Sequence, residues 1–354
     1  MNFTGLLLLP LSVIYGFIVY FRNKLFDFGI LKSKKFNLPI ISVGNLSMGG
    51  TGKTPQIEYL IRLLIKDFKI ATLSRGYGRK SKGFILVDDK SNSTIAGDEP
   101  MQYRTKFPEI TVALDEKRVN GVNRILYEKP ETEVILLDDA FQHRYIKPGL
   151  SILLTDFYKP FSHDYIFPSG TLREARNNMK RANIIIVTKS PRILSPITRK
   201  SMEEEMKINP VQKVYYSYIE YGKLIPLNSY SEKLELSKIS TILMISGIAN
   251  PYPLQEQLKT MADNVESIIF KDHYQFEQND AIKIKDTFNA IFSKNKIIVT
   301  TEKDAMRIKD TDLLKNFVDL PIFYLPIEVR FHKNDKEKFD KQIIDYVRKN
   351  KPNH

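Results

Sequence analysis

The chain has 354 residues, 42% of them hydrophobic and 27% charged, a balance that supplies a sizeable core and excludes a disordered or collagen-like chain. It has no cysteine, which excludes disulfides, thiolate metal sites, iron–sulfur clusters and cysteine nucleophiles; five histidines are present, His143, His163, His273, His332 and His354. With 54 basic against 41 acidic residues the formal charge is +13, which favours an anionic partner: nucleic acid, a phosphorylated metabolite or an acidic membrane face.

The first element is apolar. No residue from Met1 to Phe21 is charged, and the run Phe3–Phe21 has about the 20 residues that cross a bilayer core. Arg22, Lys24, Lys32, Lys34 and Lys35 follow, against the single acid Asp27. This order, apolar then basic, is the reverse of a secretory signal and predicts an N-terminal membrane helix with the rest of the chain on the cytoplasmic side. The basic flank would attract anionic headgroups. Pro10, Thr4, Ser12 and Tyr15 interrupt a pure span, so a helix lying in the interface and one crossing the bilayer both stand open.

Beyond residue 35, short β-branched runs read as strands: Pro39–Val43, Lys69–Leu73, Phe84–Val87, Ile110–Leu114, Val134–Leu137, Ile152–Thr155 and Ile184–Thr188. Several are apolar on both faces, as strands of a covered parallel sheet are. Gln56–Ile65 and Glu116–Tyr127 between them carry helical spacing, so the alternation predicts an α/β doubly wound, mostly parallel sheet. After Pro191 come a charged helix, Arg199–Lys207, and an aromatic-rich strand, Val214–Tyr221. A second series includes Ile239–Ile245, Ile297–Thr300 and Ile322–Leu325. The expected organisation is a membrane-associated helix and basic flank over 1–35, a nucleotide-binding domain over 36–225 and a smaller α/β domain over 226–354.

The strongest motif is Ser47-Met48-Gly49-Gly50-Thr51-Gly52-Lys53-Thr54, lying between the strand Ile40–Val43 and a helix that opens near Pro55. That context is the one a P-loop, as in P-loop NTPases, requires. Its glycines let backbone N–H groups converge on phosphate, Lys53 neutralises the β/γ-phosphate charge, and the Thr54 hydroxyl is placed for Mg²⁺. Ser47 stands where the motif has its first glycine. A strand ending in acids follows at Val134–Asp139, which makes Asp138 and Asp139 candidates for Mg²⁺ or for positioning water. Side-chain alternation in a strand gives the two acids different jobs.

Three functions fit these motifs: a small-molecule or lipid kinase, a membrane-attached regulatory NTPase, and a nucleic-acid-dependent NTPase. Met48 occupies the position where partitioning-type membrane ATPases carry a signature lysine. Thr188-Lys189-Ser190-Pro191 has proline, and Thr301-Glu302-Lys303-Asp304 has Glu, where a guanine-reading motif needs Asp and Lys. The chain has no Trp, no RNA-binding aromatic signature and no zinc module, which argues against nucleic acid.

Taken in order, the motifs resemble those of one family, the tetraacyldisaccharide 4'-kinases of lipid A biosynthesis. The resemblance is carried by Leu9-Pro-Leu-Ser12, Ser42-Val-Gly-Asn-Leu-Ser47, Ser74-Arg-Gly-Tyr-Gly-Arg79, Gly97-Asp-Glu-Pro100 and Leu137-Asp-Asp-Ala-Phe-Gln-His143. It continues through Pro168-Ser-Gly-Thr-Leu-Arg-Glu174, Ser246-Gly-Ile-Ala-Asn-Pro251, Asp272-His-Tyr274 and Thr300-Thr-Glu-Lys-Asp304. Ala140, Ser169 and Thr171 depart from the family pattern and leave the acids and Arg173 intact. The resemblance implies transfer of the γ-phosphate of ATP to the 4'-hydroxyl of a tetraacyldisaccharide 1-phosphate, with Mg²⁺, at the cytoplasmic face of the bacterial inner membrane, and no role for nucleic acid.

A sugar hydroxyl must lose its proton as it attacks phosphorus. Asp98, in a Gly-Asp-Glu-Pro turn, is the candidate base, with His273 as its partner; the resemblance supports the pairing, and closure of the two domains would bring His273 to the site. Glu99 joins Thr54, Asp138 and Asp139 as a candidate for Mg²⁺. Arg75, Arg79 and Arg173 are candidate anion binders, because guanidinium forks suit phosphate, and Gln142 and His143 are candidates to line the same cleft.

Overall fold

The computed structural model describes residues 3–234, 236, 238–272, 274–309 and 312–351. His273 and His354 lie outside the described residues. The chain opens with two helices, α1 (Phe3–Leu7) and α2 (Leu9–Asp27). Strand β1 (Ile40–Asn45) leads into α3 (Lys53–Leu64), and β2 (Ile70–Ser74) and the short β3 (Ile85–Leu86) follow. Then come α4 (Ser93–Ala96), α5 (Asp98–Lys106), β4 (Thr111–Leu114), α6 (Arg118–Glu128), β5 (Val134–Asp138), β6 (Leu150–Asp156) and β7 (Ile184–Thr188). The middle of the chain holds α7 (Pro196–Met206), β8 (Lys213–Tyr221), β9 (Ile225–Pro226), α8 (Ser229–Glu232), β10 (Ile239–Ser246), α9 (Tyr252–Lys259) and β11 (Ala262–Ile269). It closes with α10 (Gln278–Ala290), β12 (Lys296–Thr301), α11 (Glu302–Lys309), β13 (Ile322–Leu325), β14 (Ile327–Phe331) and α12 (Lys333–Asn350).

Two compact units result, and neither is contiguous in sequence. The first comprises residues 1–90, 103–219 and 329–354; the second comprises 91–102 and 220–328. The expectation of a second domain running from 226 to 354 is therefore corrected at both ends. The short segment carrying Asp98 and Glu99 belongs to the second unit, and α12 returns to the first. The return has a packing cause. Phe339, Ile343 and Val347 line one face of α12 and are wholly buried, and the Tyr346 hydroxyl accepts from the Ile40 N–H at 3.2 Å and donates to the Ile40 carbonyl at 3.1 Å.

The first unit is built on a nine-stranded sheet in the order β14-β8-β7-β6-β1-β5-β2-β4-β3. Pairing is parallel from β8 through β4, and β3 runs antiparallel at the edge. Every residue of β1, β2, β5 and β7 is buried, the two-sided covering that their continuous apolar runs require. α6 seals Val122 and Ile125 onto Ile40, Leu73, Ile135 and Leu137, while α3 packs on β1 and β5. Because β1 lies between β5 and β6, its carboxyl end opens where successive crossovers leave in opposite directions, the usual ligand position in an open α/β sheet.

The second unit has a five-stranded sheet in the order β11-β10-β12-β13-β9, parallel except for β9. Its core joins β10, β12 and β13 to α10 and α11 through Leu243, Ile298, Ile322, Ile284, Phe288 and Met306. β10 and β12 form its centre, and the crossovers that leave their carboxyl ends, to β11 and to β13, run in opposite directions.

The spanning reading of the N-terminus is not supported: among the described residues no helix is long and apolar enough to cross a membrane. The helix breaks between α1 and α2, and the polar residues that interrupt its apolar run serve as its attachment. Ser12 Oγ lies 2.8 Å from Ser169 Oγ, the Tyr15 hydroxyl donates to the Arg173 carbonyl at 3.0 Å, and Asn23 Nδ2 donates to Glu174 at 2.9 Å. With its polar stripe turned inward, α2 leaves Val13, Ile14, Phe17, Ile18 and Phe21 more than half exposed.

Candidate functional site

β1 ends in Asn45, and the chain turns through residues 46–52 before α3 starts at Lys53, two residues earlier than the sequence expectation. Gly52 caps α3 with φ +84, a left-handed conformation that costs a side-chain-bearing residue and suits glycine. The loop is held from three sides. Asn45 Nδ2 donates to Thr51 Oγ1 at 2.8 Å; Met48 N–H donates to the Thr171 carbonyl at 2.7 Å; Thr188 Oγ1 donates to the Thr51 carbonyl at 2.8 Å. Lys189, one residue beyond β7, donates from Nζ to the Gly50 carbonyl at 2.5 Å and is paired with Asp156 at 2.8 Å. Gly44 permits the approach of the β5 loop: a Cβ there would lie 2.7 Å from Phe141 Cβ. Gly49 and Gly50 are exposed, and α3 follows the loop directly, so the loop adjoins the helix end whose N–H groups lack intrahelical partners.

The two acids after β5 separate as strand alternation predicts. Asp138 is 1% exposed, accepts from the Tyr103 hydroxyl at 3.0 Å, and its carbonyl accepts from Arg118 at 3.3 Å. Asp139 turns out of the strand with φ +48 and faces Lys53, 3.7 Å from Nζ, while Arg173 Nη1 donates to both its oxygens at 2.9 and 2.8 Å. Burial by itself would raise the Asp139 pKa; the charges of Lys53 and Arg173 outweigh it and hold the carboxyl below its ordinary range. Arg118, buried beneath the pair, is pushed down to about 10 by desolvation, against the pull of Asp138 and Asp139.

Gln142 Nε2 donates to the Asn45 carbonyl at 2.8 Å and to Glu174 at 3.1 Å. His143 Nε2 lies 3.0 Å from the Glu116 carbonyl, which fixes the proton on that nitrogen, and Nδ1 is buried without a partner. Burial first, and then the charge of Arg118, lower its pKa, so the imidazole is neutral at pH 7. Arg79 is turned inward, 2% exposed, donating to Glu116 at 2.5 Å and to the Gly83 carbonyl at 2.8 Å, whereas Arg75 on the same loop is exposed. Thus Lys53, Asp139, Arg173 and Gln142 are brought into one connected group at the carboxyl ends of β1 and β5. Arg79 and His143 are fixed on Glu116 beside it.

Asp98 and Glu99 open α5 in the second unit. Asp98 Oδ2 accepts two bonds from Arg307, and Glu99 lies 3.8 Å from Lys303 Nζ.

Several contributors carry no strong sequence signal. Glu174 has no exposed surface and accepts from Arg181 at 2.5 Å, Asn23 at 2.9 Å, Asn178 at 2.9 Å and Gln142 at 3.1 Å. It joins α2 to the loop after β5, and its only trace in the sequence is its place beside Arg173. Asn45, Lys189 and Arg118 likewise read as unremarkable polar residues until the fold places them. His163 pairs with Glu205 at 2.7 Å, and His332 Nε2 lies 3.0 Å from Ser190 Oγ; both stand apart from the loop's bonds.

A family model described as tetraacyldisaccharide-1-P 4'-kinase matches residues 4–348. A tetraacyldisaccharide 4'-kinase of Bacteroides thetaiotaomicron is 46% identical over 98% of this chain and 94% of its own length. The corresponding protein of Phocaeicola vulgatus is also 46% identical, over 98% and 96%. A crystal structure of LpxK from Aquifex aeolicus in complex with ATP is 30% identical, covers 97% of this chain and 99% of its own, and superposes with a TM-score of 0.73.

Proposed function

The chain belongs to the tetraacyldisaccharide-1-P 4'-kinase family, and from that premise we propose how its residues carry out the family's reaction. The activity is that of a tetraacyldisaccharide 4'-kinase of lipid A biosynthesis, with ATP as donor. The observation that carries the residue assignment is the placement of Lys53 and Asp139, 3.7 Å apart, under a glycine loop at the carboxyl end of β1. Residues 47–54 bind the triphosphate, and the Lys53 ammonium balances charge that builds on the γ-phosphoryl oxygens during transfer. Asp98 accepts the proton of the 4'-hydroxyl as its oxygen bonds to the γ-phosphorus; the bond from that phosphorus to the β–γ bridging oxygen breaks, and ADP leaves. His273 is its proposed partner.

The oxygen donors here suit a hard divalent cation, which keeps water and phosphate as most of its ligands. Thr54 and Asp139 would hold Mg²⁺, with Asp138 supporting from its buried position and Glu99 kept as a further candidate ligand; bound there, the ion would supply further charge neutralisation at the phosphates. Arg173 holds Asp139 ready for that role. Exposed Arg75 is the proposed ligand for the acceptor's 1-phosphate, with Arg79 shaping its loop and Gln142 and His143 lining the cleft.

The exposed apolar face of α2 and the basic residues after it support attachment to a membrane surface without crossing it, at the cytoplasmic face where the lipid acceptor resides. The test is an assay with γ-labelled ATP and the disaccharide 1-phosphate lipid. Label on the lipid is the expected result. ATP hydrolysis with no labelled lipid would turn the reading towards a regulatory NTPase.

A further inference from the structure

The Asp98 carboxylate is held in a way that a turn acid is not. Arg307, on α11, is 2% exposed and places both Nε and Nη2 on Asp98 Oδ2, at 2.9 and 2.7 Å. Its third nitrogen, Nη1, donates to Asp304 Oδ1 at 2.8 Å and to the Gly247 carbonyl at 3.2 Å. Asp304, with no exposed surface, is fixed in turn: Oδ2 accepts from the Gly247 N–H at 2.9 Å and from the Thr301 hydroxyl at 2.7 Å. Gly247 follows β10 and Thr301 ends β12, so the guanidinium is anchored at the carboxyl ends of the two central strands of the second unit. Asp98 reaches it from a segment 209 residues away in sequence.

We propose that Arg307 is a positioning residue for phosphoryl transfer, orienting the Asp98 carboxylate for the acceptor hydroxyl, with Asp304 setting Arg307. The inference rests on the reading of Asp98 as the base. Two features separate this arrangement from a simple staple. Both bonds to Asp98 fall on Oδ2, which fixes the position of that oxygen and leaves Oδ1 unengaged by the guanidinium. In addition, Arg307 is shared between two carboxylates, Asp98 and Asp304, so its charge is not committed to Asp98 alone. A fixed carboxylate matters because general-base catalysis demands hydrogen-bond distance to the proton it removes.

The test compares Asp98→Ala, Arg307→Ala, Arg307→Lys and the Asp98→Ala/Arg307→Ala double variant in the full chain, with ATP and the lipid acceptor. Arg307→Ala is expected to lower kcat by about 100-fold, within the range of a general base's contribution, with the KM for ATP changed less than about twofold. Because Arg307 acts through Asp98, the double variant is expected to turn over no more slowly than Asp98→Ala alone. Arg307→Lys keeps the buried charge but loses the fork, and is expected to recover part of kcat at an unchanged thermal midpoint. This variant carries the test should the alanine chain not fold. Wild-type kcat in Arg307→Lys and Arg307→Ala, or losses that multiply in the double variant, would overturn the positioning role. Wild-type kcat in Asp98→Ala would instead remove the base reading itself.

Discussion

Lys53 and Asp139, 3.7 Å apart, form the pair on which the proposed chemistry of the glycine loop rests. Lys53→Ala is expected to abolish kinase turnover, by about 1,000-fold or more, because loop N–H groups alone do not balance the transferring phosphoryl charge. Turnover of the labelled lipid within tenfold of wild type would remove the loop assignment. His143 makes a prediction of a different kind. Its folded-state pKa is lowered by burial and by Arg118, so protonation favours the unfolded chain. The stability it contributes is full above the ordinary histidine value of 6.5 and is lost as pH falls through the lower folded value. Thermal midpoints of wild type and His143→Gln, followed from pH 7.5 to 5.5, are expected to diverge, the wild type losing more; parallel curves would show that this imidazole is not linked to folding. At this scale the sequence is legible where a residue type has few uses, as with the lysine of a glycine loop. It is opaque for Glu174 and Arg307, whose roles arise from partners up to 209 residues distant.

Helix α2 shows how an element can be read in the right place and turned the wrong way. Its apolar run left a span and an interfacial helix both open, with Ser12 and Tyr15 read as interruptions and Asn23 unremarked. In the fold these residues dock the helix, and the apolar side chains face out. If that face meets a lipid surface, Phe17→Ser with Ile18→Ser is expected to weaken binding to anionic vesicles by about tenfold or more, from the loss of two buried apolar side chains, at an unchanged thermal midpoint. Cosedimentation measures it, and equal partitioning of the two proteins would place the anchor elsewhere. Strands were legible to a similar degree. β1, β2, β5 and β7 are continuous apolar runs and lie within a residue or two of their expected positions. β11, with the sequence ADNVESII, escaped because it is an edge strand with most side chains exposed, and its polar residues give no period-2 signal.

At the scale of the whole molecule, alternation of strand and helix gave the α/β architecture, and the texture change after residue 191 pointed to a second unit. The exchange of segments between units could not be read that way, because it depends on packing between distant pieces of chain. Phe339, with no exposed surface, stacks on Phe331 at 4.5 Å and lies at the join of α12 with the large sheet. Phe339→Ala is expected to cost the first unit about 3–5 kcal/mol, from lost burial and the cavity left behind. Hydrogen exchange resolves the two units: protection is expected to fall in β1 and α3 and to hold in β10 and β12. Uniform loss over both would mean the units unfold as one.

The same return of α12 has a consequence in time. A chain growing on the ribosome exposes residues 220–328 before it releases Lys333–Asn350, and residues 91–102 have long since emerged. All of the second unit is thus available while the first still lacks most of β14 and all of α12. The second unit is therefore expected to be able to fold first, the reverse of the usual N-terminal-first order. Until α12 emerges, the face of the large sheet that Phe339, Ile343 and Val347 pack against is left uncovered, and the half-built unit is expected to present apolar surface that a nascent-chain chaperone would shield.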